Sequence, residues 1–221
     1  MDIFDIVGPV MIGPSSSHTA GASRIGQIAY RLLNEQPKRA EIIFHGSFAH
    51  TYRGHGTDRA VVAGVLGMTQ DDERIRDAFT IAKNTGLRYN IETADLGDDV
   101  HPNTVQITLT GQSGQRISVR GASIGGGNIM VTAVNGMDVQ FTGQRSTLIV
   151  MAPDEPGVIA HIANVFNFRN INICTLKFSR DRPGGNSVLA IEADEDLPED
   201  IGPELEQQPQ ISQCILISKL E

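Results

Sequence analysis

Between Gly13 and Gly21 the chain reads Gly-Pro-Ser-Ser-Ser-His-Thr-Ala-Gly, which sets Ser15, Ser16, Ser17, His18 and Thr19 side by side. Four hydroxyls can donate hydrogen bonds to an anion, and an imidazole can accept a proton. Pro14 ends any extended segment, the serines are good N-cap residues, and apolar Ile25, Ile28, Ala29 and Leu32 follow at helical spacing. A helix N-terminus attracts carboxylate or phosphate. The plainer reading is a serine-rich cap with one surface histidine, and the cluster alone does not decide between them.

A second polar helix start lies at Gly54-His55-Gly56-Thr57-Asp58. His55, Gly56, Thr57 and Asp58 read either as an anion or substrate contact or as a loop capped by Thr57 or Asp58. His45, His50 and His55 recur every five residues, which matches neither strand nor helix facing and argues against a metal site. Gly125-Gly126-Gly127 reads as a turn or, alternatively, a backbone anion nest. No G-x-S-x-G elbow is present, so a hydrolase serine is not expected.

The elements that must position these groups fall into two units. An apolar run, Ile6 to Ile12, precedes a predicted helix over 16–34, a strand over 39–48 and a loop from Phe48 to Gly56. Helices then follow through Val61, Val62 and Val65, and through Ile75, Phe79 and Ala82. From Leu87 onward the period is that of strands, with Asn135-Gly136 as a hairpin signal. Helices first and antiparallel strands later make the first unit α+β.

Residues 142–146 are the predicted linker between domains at 1–141 and 147–221. In the second, a strand from Thr147 leads through Pro153-Asp154-Glu155-Pro156-Gly157 into a helix with Val158, Ile159, Ile162, Ala163 and Phe166 on its buried face. A strand from Asn170, a turn at Pro183 to Asn186, a third strand, an acidic helix and a last strand complete the ferredoxin-like order βαββαβ. A free sheet edge there invites pairing with another copy.

Bulk properties narrow the company the chain keeps. Its net charge is −8, with no basic, aromatic-laced patch, which argues against nucleic acid as a partner. No apolar run approaches the roughly 20 residues of a membrane span, and the N-terminus lacks the basic start of a secretory signal, so cytoplasm is expected. Cys174 and Cys214, both in apolar stretches, read as small core residues rather than disulfide partners or a four-cysteine metal set.

Two resemblances follow from these residues. Leu148-Ile149-Val150, then Asp154-Glu155-Pro156-Gly157-Val158-Ile159, then Asn170-Ile171-Asn172-Ile173 resemble an ACT domain. That resemblance implies an amino-acid effector held by Asp154, Pro156, Gly157, Val158, Ile159, Asn170 and Ile171 where two copies meet, or a domain that only dimerises. The first unit is similar to the beta chain of bacterial iron–sulfur-dependent L-serine dehydratase. The matching residues are Gly13 to Thr19, Gly46-Ser47-Phe48, Gly54 to Asp58, and the glycine run before Asn128-Ile129.

That family removes water from L-serine to give pyruvate and ammonia, using a four-iron four-sulfur cluster with an open iron site. Two cysteines cannot hold such a cluster. The resemblance therefore implies an alpha subunit that carries it, with this chain binding no cofactor and inactive alone. Ser15 to Thr19 would hold the substrate carboxylate, and a neutral His18 would take the Cα proton or orient the substrate. The other reading is a non-catalytic amino-acid sensor, with L-serine as effector.

Overall fold

The computed structural model describes residues 10–220, and the expected N-terminal apolar strand lies largely outside the described residues. The chain divides into two compact units, 1–135 and 136–221. Both are mixed α and β.

In the first unit a wide π-helical turn, Ser16–Gly21, runs straight into α1, Ala22–Leu33. Asn34 ends it in the left-handed conformation with φ 56°. The expected stripe is correct: Ile25, Ile28, Ala29 and Leu32 are fully buried, and each large one contributes about 1.5–3 kcal/mol by leaving water. Next come β1 (Pro37–Phe44), α2 (Gly46–His55) and α3 (Thr57–Val65). A 3-10 turn (Glu73–Asp77), capped by the Asp72 carboxylate on the Arg74 N–H, opens into α4 (Ala78–Thr85).

Then follow β2 (Arg88–Thr93), β3 (Thr104–Gly111), β4 (Arg116–Gly125) and β5 (Asn128–Val134). The sheet order is β2-β1-β3-β4-β5. Strand β2 runs parallel to β1, with Ile42 opposite Ile91, whereas every later pairing in the unit is antiparallel. A purely antiparallel set was the expectation. The parallel pair arises because α2, α3 and α4 carry the chain back across before β2 begins.

Two further expectations are corrected. The segment 48–56, expected as a loop, is the body of α2. It starts at Gly46 with φ 55°, its Thr51 hydroxyl donates to the Ser47 carbonyl, and it stops at Gly56 with φ 67°. The two glycines supply the left-handed turns that bracket a helix of otherwise weak amphipathic pattern. Nor does Thr57 or Asp58 cap α3: the N-cap is Gly56, and no side-chain cap bond forms.

Helices α1 and α3 cross at backbone contact. A Cβ on Gly64 would stand 2.9 Å from the Gln27 nitrogen and nearer still to the Ser23 carbonyl, and one on Gly26 would stand 2.6 Å from the Val61 carbonyl. Only glycine at both positions permits this approach.

In the second unit, β6 (Met137–Phe141) and a short connection precede β7 (Thr147–Pro153). Helix α5 (Val158–Phe168), β8 (Ile173–Arg180), β9 (Asn186–Ala193), the short α6 (Ile201–Leu205) and β10 (Gln213–Ile217) follow. The order βαββαβ and the sheet β10-β7-β9-β8 fit the ferredoxin-like plan. Leu148, Val150, Leu189, Ile191, Ile162, Phe166 and Leu205 share one core.

The buried face of α5 differs from expectation. Val158, Ile162, Val165 and Phe166 are buried, while Ile159 is 43% exposed and Ala163 lies on the solvent side. The helix turns so that one narrow stripe meets the sheet, leaving the next residues outside. Nor are both cysteines core residues. Cys174 is exposed on the outer strand β8, and Cys214 is half-buried on β10, its thiol pushed up to about 12 chiefly by burial and further by Glu206.

Candidate active site

The first polar cluster folds around one imidazole. Ser15 is the N-cap of the π-helical turn, and its hydroxyl accepts the His18 N–H at 3.2 Å. The same oxygen stands 3.4 Å from His18 Nδ1. On the other side of the ring, His18 Nε2 is 3.3 Å from the Ser47 hydroxyl on the first turn of α2. Both ring nitrogens thus face hydroxyls, which either donate or accept as the tautomer requires. Phe48, fully buried, meets the ring edge-on at 5.2 Å.

His55 supplies the fourth side. Its ring lies 4.7 Å from that of His18 at an interplanar angle of 65°, and its backbone carbonyl accepts the Thr19 hydroxyl at 3.3 Å. His55 Nδ1 is buried and has no partner among the described residues. Burial, and secondarily the neighbouring His55, hold the His18 imidazole below its ordinary value, so it is neutral near pH 7.

Of the predicted residues, Ser15, Ser16, Ser17 and His18 are half-buried and open to one side, whereas Thr19 is 2% exposed with its hydroxyl engaged by His55. His55 joins the cluster directly. Thr57 is fully buried inside the start of α3 with its hydroxyl unpartnered among the described residues. Asp58 accepts the Arg59 N–H, and burial pushes its carboxyl up. Gly56 is the left-handed hinge between α2 and α3.

Ser47 and Phe48 were not among the predicted site residues, although Gly46-Ser47-Phe48 is one of the segments that carry the family resemblance. His45 and His50 line a different cavity, of about 680 Å³, at the ends of β1 and β2. The Gly125 to Gly127 turn offers the Gly127 carbonyl to Arg24 Nη1 at 2.9 Å.

In the second unit the Asp154 carboxylate ties its own loop to the β8–β9 turn. It accepts the Gly184 N–H at 2.9 Å and Arg180 Nη1 at 2.7 Å, and these bonds hold it below the usual carboxylate range. Pro156 and Gly157 are exposed, and Gly157 starts α5 with φ 96°. Val158 is buried and Ile159 faces out. Asn170, at φ 53°, and Ile171, whose N–H reaches the Phe166 carbonyl, lie past the other end of the helix. An 11-residue helix is about 16 Å long, so one copy does not bring the two predicted groups together.

Among the described residues, none are grouped to fit an iron–sulfur cluster. The thiols of Cys174 and Cys214 both lie in the second unit, and among the described residues no three His, Cys, Asp or Glu side chains are grouped to hold a metal ion.

Comparisons with known proteins place the chain in a family. The family profile of the serine dehydratase beta chain matches residues 1–134, and the chain belongs to that family. It is 40% identical over 198 residues to the L-serine dehydratase beta chain of Peptoniphilus asaccharolyticus, covering 90% of this chain and 89% of that one. It is 42% identical over 216 residues to a probable L-serine dehydratase beta chain of Bacillus subtilis (strain 168), covering 98% and 97%. A more distant similarity, 26% over 201 residues, links 89% of the chain to 37% of a D-3-phosphoglycerate dehydrogenase of Methanocaldococcus jannaschii. No described helix is long and apolar enough to cross a membrane.

Proposed function

We propose that this chain is the substrate-binding half of an L-serine ammonia-lyase, active only with an alpha chain that carries a four-iron four-sulfur cluster. The observation that carries the reading is His18 held between the Ser15 and Ser47 hydroxyls with His55 against its ring. A beta chain implies an alpha partner, and the names of the two beta-chain relatives described above support L-serine as the substrate.

Loss of water from serine needs the carboxylate held, the Cα proton removed and the hydroxyl made a leaving group. Ser15, Ser16 and Ser17 stand at a helix start whose first internal bond is Thr19 N–H to the Ser15 carbonyl, so the amides of Ser16 and Ser17 precede the ladder. They hold the carboxylate, each hydrogen bond to that charge contributing about 1.5–3 kcal/mol. His18, neutral because it is buried and faces another imidazole, accepts the proton or orients the substrate beside it. Thr19, through its bond to the His55 carbonyl, keeps the two rings together. The cluster, on the alpha chain, would supply the Lewis acid that makes the hydroxyl a leaving group.

The second unit is an ACT-type domain that pairs two copies and senses an amino acid. Its βαββαβ order, the loop at Gly157 and the outward-facing Ile159, Phe168 and Leu176 support this reading. Pairing would bring the Gly157 end of one helix toward the Asn170 end of another. A regulatory subunit that only senses amino acids is the second reading, favoured by the similarity to part of a larger dehydrogenase.

Anaerobic co-expression with the alpha chain tests the first. Pyruvate formation that requires both chains, and falls in Ser16→Ala and His18→Ala, is the expected result. Near-wild-type rates in both variants remove the catalytic assignment, and tight L-serine binding by an inert complex favours the sensor.

A further inference from the structure

Beside Thr19 and His55 lies a cavity of about 360 Å³ whose lining includes three arginines: Arg53, Arg59 and Arg76. They come from three different elements. Arg53 is in the last turn of α2, Arg59 in the first turns of α3, and Arg76 in the 3-10 turn.

Most arginines of known partnership in this acidic chain are neutralised. Arg39 and Arg116 meet Glu41, Arg74 meets Asp72, Arg145 meets Asp194, Arg169 meets Asp200 and Glu204, and Arg180 meets Asp154. Arg53, Arg59 and Arg76 form no ion pair among the described residues. Asp58 accepts the Arg59 backbone N–H; burial pushes its carboxyl up, while the charges of Arg59 and Arg53 pull it down by less. Arg53 and Arg59 are not loose: they lie over Tyr52 and Phe79, with guanidinium carbons 5.3 and 5.8 Å from the ring centroids. Three like charges around one concavity raise its positive potential, which an anion there would offset.

From this geometry we propose that the cavity binds a small dianion of the phosphate type. A guanidinium presents paired donors that match phosphate oxygens, and three of them need an acceptor with at least three oxygens. A single carboxylate has two, and a zwitterionic amino acid adds an ammonium that the arginines repel. The uncapped start of α3 at Gly56 adds its dipole on the same side. His55 Nδ1 belongs to a residue that lines the cavity and is without a partner among the described residues. The volume leaves room beside a phosphate group for a short organic chain.

The cavity shares Thr19 and His55 with the histidine cluster, but its test needs no turnover. Inorganic phosphate is titrated into the full chain at constant ionic strength and followed by calorimetry and phosphorus NMR, with glycerol 3-phosphate in parallel. Saturable one-to-one binding is expected. Arg53→Gln, Arg59→Gln and Arg76→Gln each weaken it about tenfold, equal to about 1.4 kcal/mol, while the remote Arg116→Gln stays within about twofold. Arg59→Lys, which keeps the charge, recovers part of the loss and guards against misfolding as the cause. Tighter binding of glycerol 3-phosphate marks a phosphomonoester site, and equal binding a site for free phosphate. Lack of saturation, equal weakening by Arg116→Gln, or displacement by L-serine at phosphate-like concentrations overturns the proposal.

Discussion

The His18 ring stands edge-on to that of His55, centroids 4.7 Å apart, and the two belong to segments 37 residues distant in sequence. One histidine follows a serine N-cap and the other closes α2. Burial first, and His55 second, make His18 harder to protonate.

This coupling sets a pH dependence. The unfolded His18 has the ordinary value of 6.5, and the folded one lies below it, so the unfolded chain binds the proton more readily. The corresponding stability is present above pH 6.5 and is lost as pH falls through the folded value. His55→Gln removes the smaller cause and leaves burial, so the His18 value rises but stays below ordinary. Proton NMR titration of the ring checks both statements, and an unchanged value in the variant contradicts the coupling.

Ser47 is a positioning residue for His18. Ser47→Ala is expected to lower kcat of the assembled lyase about tenfold and cost about 1 kcal/mol of stability. A Ser47→Thr variant keeps the hydroxyl and restores most of the rate. Altered kcat at constant KM for L-serine separates positioning from substrate binding.

The α1–α3 crossing makes a sharper claim. In an exposed helix, glycine to alanine stabilises by about 1 kcal/mol. Here Gly64→Ala must push the Ser23 and Gln27 backbone aside, so destabilisation of about 1–3 kcal/mol is expected. Urea unfolding gives the sign directly.

Thiol chemistry distinguishes the two cysteines. Cys174 is exposed, whereas Cys214 carries a thiol pushed up to about 12. A chromogenic disulfide reagent at pH 8 should titrate one thiol quickly in the native chain and the second only on unfolding. Two fast thiols would place Cys214 in a different environment.

Much of the fold was legible because its signals are local. The stripe of α1, the alternation of Val105, Ile107 and Leu109, and the left-handed pair Asn135 and Gly136, with φ 52° and 78°, all follow from spacing or from backbone chemistry. Helix α2 was not legible, since its apolar period is weak and its limits are glycines that also read as loop. Of the predicted site residues, the structure brings Ser15, His18, Thr19 and His55 together. Ser47 stood in a segment of the family resemblance, but its place against His18 was hidden because that contact spans 29 residues. For the same reason Thr19 looked like a ligand donor, although its hydroxyl is occupied by the His55 carbonyl.

The parallel pair of β1 and β2 has a kinetic corollary. Arg39 sits opposite Arg88, so the chain must close a long excursion before this ladder can form, and closure entropy falls due before the reward of pairing. Ser47, Phe48 and His55 all lie on that excursion. During refolding, native-like hairpins among β3, β4 and β5 should therefore be protected from amide exchange well before the imidazole neighbourhood matures.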